Sequence, residues 1–326
     1  MRMNSKNSIK VQMNRWAVDH TPFLFIIDFE LKKPRIFKLE ELDPEKLLYN
    51  LDGVTNFTGG IAPSKNLYLI KHPESYEEYL YKFNRVMGEI AMGNTYLLNL
   101  TCSTPIELNL TLKEVFLLSN ARYKLWIDGE FVCFSPEIFV RIGNKTISSY
   151  PMKGTIDASI PDAQRIILED KKETAEHYTI VDLIRNDLNR VSKRVRVERF
   201  RYIDAIVAHD KQLLQVSSEI CGDLDDDYLS HIGDIIFAML PAGSVSGAPK
   251  KKTVEVIADV EKRDRGYYTG IFGIFDGYNL NSSVMIRFIE NIGDMYIYRS
   301  GGGITSFSDP LLEYNEMIDK IYLPVV

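Results

Sequence analysis

Apolar residues recur along this chain in two rhythms, one of strands and one of helices. Residues 23–29 are an almost unbroken apolar run between Pro22 and Glu30, the mark of a buried strand. Over 75–91 the rhythm changes. Tyr79, Phe83, Val86, Met87 and Ile90 fall on one helical stripe, which ends at Gly93-Asn94, a pair suited to stop a helix. Residues 131–142 and 145–150 read as strands flanking a two-residue hairpin turn at Gly143-Asn144, which leaves Lys153 just beyond the second strand. The 169–188 segment reads as one long helix that turns Ile180, Val181, Leu183, Ile184 and Leu188 to the core. Helices are also expected at 232–240 and 254–261, on either side of a loop at Gly243. Alternation returns at 283–290 and 295–298, and a last helix covers 310–321. Hairpins mixed with helices predict an α+β architecture with mostly antiparallel sheets, and no repeat or linker divides the chain.

Composition narrows the classes. A chain of 326 residues can bury a large core, and a formal charge of −6 gives no electrostatic reason to expect nucleic acid or an anionic membrane as partner. Cys102, Cys133 and Cys221 are few, odd in number and widely spaced, which fits reduced thiols and no zinc site. The apolar runs look too short to cross a membrane and residues 1–12 are too polar for a signal peptide, so a soluble cytoplasmic protein is expected.

The candidate chemistry lies in the C-terminal two-thirds. Glu173 and Glu176 share one helix face, and Glu313 and Glu316 repeat the spacing on the last helix. A pair of this kind is usually a solvated face; two pairs brought together would make an oxygen-rich site suited to Mg²⁺. His177 adjoins the first pair, and Gly301-Gly302-Gly303 leads into the second. The 241–250 segment is glycine-rich but is not a nucleotide loop. Gly243 and Gly247 are one residue too close, and Ala248-Pro249 stand before Lys250. Ser244, Ser246 and free backbone N–H groups ahead of a helix make an anion cradle about as plausible as a plain turn. Arg287, read as part of an alternating strand, cannot shed its charge and needs a carboxylate, either Glu290 or another acid, or a ligand's. Lys153 becomes a nucleophile only if desolvation or nearby cations depress its pKa.

With Pro151-Met152-Lys153-Gly154-Thr155, Arg265-Gly266-Tyr267-Tyr268-Thr269-Gly270 and Asp182-Leu183-Ile184-Arg185-Asn186-Asp187, these motifs resemble the chorismate-utilising enzymes from about Tyr76 to the C-terminus. The resemblance implies two mostly antiparallel sheets packed face to face with helices outside, in one catalytic domain over 1–326. Residues 1–70 would be an abbreviated N-terminal region and 76–326 the chorismate-binding core. It implies a Mg²⁺ held by Glu176, Glu313 and Glu316, with Glu173 and His177 among the catalytic groups. Tyr268, Arg287, Lys320, Gly302 and Gly303 would hold the pyruvyl-ether side, and Ser244 and Ser246 the ring. Within the family, lysine at position 153 is similar to the aminodeoxychorismate synthases, where it attacks C2 of chorismate; anthranilate synthases usually have alanine there. That implies ammonia from a separate glutamine amidotransferase subunit, a downstream aminodeoxychorismate lyase and a role in p-aminobenzoate and folate synthesis. Leu97 stands where water-adding relatives carry a base lysine and amine users a glutamine, so isochorismate or salicylate formation is not expected. The short N-terminal region predicts no tryptophan feedback.

Overall fold

In a computed structural model, which describes residues 6–59, 67–208 and 211–325, the run at Phe23–Ile27 is a strand buried on both sides. Phe23, Phe25 and Ile27 face one apolar cluster, Leu24 and Ile26 another. Double-sided burial explains the unbroken apolar run, since a strand with one wet face would alternate. Each such side chain contributes about 1.5–3 kcal/mol.

Two nine-stranded sheets form among the described residues. In the first, the order is Met152–Asp157, Lys211–Asp223, Thr146–Ser149, Ile138–Gly143, Leu280–Val284, Ile271–Phe275, Phe23–Ile27, Arg35–Lys38, with Lys193–Ala208 also paired to Lys211–Asp223. The second runs Gly247–Ala248, Leu97–Leu108, Met295–Ile304, Phe288–Ile292, Phe131–Ser135, Tyr123–Ile127, Leu47–Leu51, Val54–Thr55, with Leu69–Lys71 on Leu97–Leu108. Neighbouring strands are antiparallel throughout these pairings. Leu24, Ile26, Phe272, Leu47, Tyr49, Leu125 and Phe288 form a core between the sheets. The outer face of the first sheet is covered by helices Lys6–Val18, Lys171–Leu188 and Ile232–Met239. Helices Tyr76–Ala91, Leu112–Leu118, Lys250–Glu261 and Pro310–Asp319 cover the outer face of the second. This is the expected α+β arrangement of face-to-face sheets with helices outside.

Several boundaries differ from expectation, each for a local reason. The 131–142 run is two strands, not one: Phe131–Ser135 belongs to the second sheet and Ile138–Gly143 to the first, and the chain changes sheets at Pro136-Glu137. A second crossing, over 285–287, joins Leu280–Val284 to Phe288–Ile292, so Arg287 lies in a connection with φ of +48° rather than in a strand. The inward positions change phase at each crossing, from Phe131 and Cys133 to Ile138 and from Met285 to Phe288, but the strands on either side carry buried residues on both faces, so the sequence reads as one run. The hairpin turn is Asn144-Lys145, both left-handed as a type I′ turn requires, one residue later than expected. The 169–188 helix begins at Lys171. Asp170 ends the preceding helix Ala163–Glu169, and its carboxylate caps Glu173 N at 2.8 Å. Lys153 lies inside the strand Met152–Asp157.

Contrary to expectation, Tyr228–Ser246 reaches the length and apolarity of a membrane span. It consists of three short helical pieces interrupted at residues 240–242, and its middle piece Ile232–Met239 is buried against Lys6–Val18. Buried helices of this kind are as apolar as spans.

Candidate active site

A cavity of about 450 Å³ opens where the two sheets come together below the helices. Its walls come from Met152–Asp157, from both sheet crossings, from the glycines of Met295–Ile304, and from helices Lys171–Leu188 and Pro310–Asp319. The glycines allow close approach: a Cβ on Gly302 would lie 3.2 Å from Glu313 Oε2.

One end of the cavity is a carboxylate cluster. Glu173 and Glu176 project from the first two turns of Lys171–Leu188, and Glu313 and Glu316 from Pro310–Asp319. Burial raises the Glu173 and Glu313 carboxyls above the usual carboxylate range, and their like-charged neighbours add to it. Burial acts upward on Glu316 as well, but Lys320, 2.8 Å away, leaves it below its ordinary value. Lys153 donates to Glu176. Burial alone would lower the Lys153 amine, but pairing with Glu176, reinforced by Glu173 and Glu316, holds it above its ordinary value. The depression that a nucleophilic lysine requires is therefore absent in this state, where Lys153 is ion-paired with Glu176. Lys172 Nζ stands 3.8 Å from Glu313 and 3.9 Å from Glu176, bridging the two helices.

The opposite wall is made by the sheet crossings. Glu137 sits in the first, and Ser244 Oγ donates to its carboxylate. Burial pushes the Glu137 carboxyl up, against the pull of Ser244, Arg287 and Lys153. Arg287 sits in the second crossing, with its guanidinium 5.3 Å from the Tyr322 ring. Among the described residues no carboxylate pairs with it, and its buried Nε has no partner. Glu290, the partner considered from sequence, instead binds Arg299 at 3.0 Å. The two crossings are tied together: Val284 N and Ser283 Oγ donate to Glu137 O, and Phe134 N donates to Arg287 O.

Lys153, Glu173, Glu176, Ser244, Tyr268, Arg287, Gly302, Gly303, Glu313, Glu316 and Lys320 all line this one cavity. His177 and Ser246 do not. His177 is buried beneath the first turns of its helix, with Nε2 2.7 Å from Ser218 Oγ and its ring edge-on to Phe200. Burial, with Arg201 and Lys153 nearby, pushes its imidazole down to about 4. Ser246 Oγ turns back to Ala242 O at 2.8 Å, closing its own helical turn. The 241–250 segment is thus no open anion cradle. Gly243–Ser246 is a helical turn, and Gly247, at φ +130°, pairs with Leu98 so closely that a Cβ would lie 1.9 Å from Leu97 O. Glu137, Lys172 and Arg299 were not foreseen. Pro136, which interrupts a strand pattern, was the available signal for Glu137.

Five carboxylates (Glu137, Glu173, Glu176, Glu313, Glu316) and five cations (Lys153, Lys172, Lys320, Arg287, Arg299) line the cavity, so its formal wall charge is zero. An anionic ligand entering it would need added positive charge. Among the described residues no three acidic, histidine or cysteine side chains form a ready-made metal cluster. Mg²⁺ does not need one, because it keeps waters and takes one or two carboxylates plus oxygens of its ligand. Glu176, Glu313 and Glu316 offer only oxygen donors, which is the ligand chemistry of Mg²⁺, and one or two of them with oxygens of a ligand would suffice.

A family model described as chorismate binding enzyme matches residues 41–325. A Haemophilus influenzae protein described as an uncharacterized PabA-like protein is 49% identical over 314 residues, covering 96% of this chain and 95% of the relative. Aminodeoxychorismate synthase component 1 of Bacillus subtilis is 33% identical over 254 residues, which are 73% of this chain and 53% of that protein. The solved structure of a menaquinone-specific isochorismate synthase from Escherichia coli superposes with a TM-score of 0.73 at 16% identity, covering 98% of this chain and 82% of that one. At that identity the likeness concerns the fold alone.

Proposed function

The chain belongs to the family of chorismate-binding enzymes, and on that premise we propose that it is an aminodeoxychorismate synthase component I. It would convert chorismate and ammonia to 4-amino-4-deoxychorismate and water, for p-aminobenzoate and folate synthesis. The observation that carries this reading is the position of Lys153, on a strand that forms the cavity wall, between the glutamate cluster and Glu137.

Chorismate carries two carboxylates. Arg287, which pairs with no carboxylate among the described residues, takes the one on the pyruvyl-ether side, assisted by Tyr268, Lys320 and the Gly302-Gly303 backbone. Mg²⁺ held by Glu176, Glu313 and Glu316 would neutralise the ring carboxylate and offset the charge that a dianion brings to a neutral wall. Lys153 must lose its Glu176 partner and a proton before it can attack, and Glu173 and Glu176 are the adjacent acceptors. The free amine then bonds to C2, both ring double bonds shift along the conjugated system (to C1=C6 and C4=C5), and the C4 hydroxyl leaves as water. Its proton comes from Glu137, whose carboxyl is pushed up toward the acid form by burial. Ammonia bonds to C4, both double bonds shift back, the Lys153 amine departs from C2, and the proton shed by the new C4 ammonium returns Glu137 to its acid form. Two allylic displacements deliver nitrogen with overall retention. Ammonia is supplied by a glutamine amidotransferase subunit, and a lyase consumes the product.

The test is incubation of the chain with chorismate, Mg²⁺ and ammonium, with products identified by mass and ultraviolet spectrum. The expected product is 4-amino-4-deoxychorismate, convertible to p-aminobenzoate by added lyase. Anthranilate plus pyruvate would overturn the reading in favour of anthranilate synthase chemistry.

A further inference from the structure

Glu137 owes its position to groups well outside the cavity. Ser244 Oγ is the hydrogen-bond partner of its carboxylate among the described residues. Ser244 lies on a four-residue helical turn, Gly243–Ser246, too short to hold its own position. The other polar contacts of that turn are directed into the protein. Arg265 Nη1 donates to Val245 O at 2.8 Å, and Ser246 Oγ donates to Ala242 O. The Gly243 N–H donates to the Asp187 carboxylate, and a Cβ at Gly243 would lie 2.8 Å from Asp187 Oδ2. Asp187 is in turn held by Lys250, whose Nζ donates to Asp187 Oδ1 and to Met239 O, each at 2.6 Å. This pair is largely buried and joins Lys171–Leu188, the end of Ile232–Met239 and the start of Lys250–Glu261.

We infer that Asp187 and Lys250 are positioning residues for the acid Glu137, acting through the Gly243–Ser246 turn, which presents the Ser244 hydroxyl to the Glu137 carboxyl. A buried ion pair adds little net stability over an apolar pair of equal volume, and its best-attested use is to specify one geometry. Here the specified geometry is the seating of the turn against the cavity wall. The inference rests on the reading above, in which Glu137 gives the proton to the leaving hydroxyl. Removing the Ser244 hydroxyl takes away a bond that favours the ionised carboxylate, so the acid's pKa rises further.

The experiment uses the full chain with chorismate, Mg²⁺ and ammonium, and compares Ser244→Ala, Asp187→Asn, their double variant, Ser244→Thr and Glu137→Gln. For Ser244→Ala, kcat should fall about tenfold with KM for chorismate within about twofold. The alkaline limb of kcat, which reports the protonated acid, should move to higher pH. Asp187→Asn should move the limb the same way, and the double variant should be no slower than the slower single variant, because both act through one contact. Ser244→Thr should restore most of the rate. If Asp187→Asn lowers the melting temperature but leaves the limb in place, or if the two losses simply multiply, the positioning role is overturned. Should Asp187→Asn fail to fold, Lys250→Gln takes its place in the same cycle with the same expectations. A crippled Glu137→Gln beside a wild-type Ser244→Ala would sink this inference alone; a fully active Glu137→Gln would sink the reading beneath it.

Discussion

The two ends of the cavity are built differently. At one end four glutamates project from two helices at i,i+3 spacing, and lysines pair with them. At the other, Glu137 and Arg287 sit in short connections where the chain passes from one sheet to the other, and neither forms an ion pair among the described residues. At the helical end four carboxylates face three lysines, which leaves one formal negative charge over. The sheet-crossing end holds groups with unmet needs: a carboxyl raised by burial and a guanidinium with a buried unpartnered nitrogen. Buried polar groups normally find partners, so such exceptions point to a ligand. Lys153 stands between the two ends and pairs with the helical one.

The largest expected effect comes from removing the group the two ends share. Lys153→Ala should lower the rate of C4 amination about a thousandfold; a variant at full rate would mean that no covalent step passes through this lysine. Next comes the sheet-crossing end: Glu137→Gln should slow turnover about a hundredfold, with chorismate binding preserved in a direct titration. Arg287→Lys keeps the charge but loses the planar fork, and KM for chorismate should rise about tenfold. An unchanged KM would leave the pyruvyl side without its anchor and the contrast between the ends without its basis. At the helical end, Glu316→Gln should weaken Mg²⁺ binding about tenfold by calorimetry, whether or not substrate turns over. An unaltered isotherm would remove Glu316 from the metal's shell.

The smallest effect concerns stability alone. His177 is held neutral, with its pKa pushed down to about 4 in the fold, and gains a proton more readily when the chain unfolds. The unfolded state therefore binds more protons between about pH 6.5 and 4, and stability falls as pH drops through that window by on the order of 3 kcal/mol. His177→Gln should flatten that part of the curve of denaturation midpoint against pH. An unchanged slope would assign the acid sensitivity to other groups.

Much of the helical end was legible in the sequence because its information is local. Glu173 with Glu176, and Glu313 with Glu316, share faces by helix geometry alone, whatever the rest of the chain does. The placement of Ser246 and His177 was not legible. Both adjoin residues that do line the cavity, but one helical position turns a side chain by about 100° and sends it into the packing. Glu137 and Arg287 were misjudged for a related reason. Where the chain passes from one sheet to the other the inward positions change phase, from Cys133 to Ile138 and from Met285 to Phe288, but buried residues on both faces of the flanking strands hide the change in one continuous run.

By itself the sequence determined the strand and helix rhythm, the α+β class, the paired carboxylates, and the isolated lysine beside a glycine. Those are consequences of backbone periodicity and of residue chemistry, which act over a few positions. Only the tertiary structure decided that eleven of the expected residues meet in one cavity, that Lys153 is held there as a paired ammonium, and that Glu137 faces it across the wall. Contacts between residues more than a hundred positions apart, such as Ser244 with Glu137, depend on how two whole sheets close on each other, and no local pattern encodes that distance.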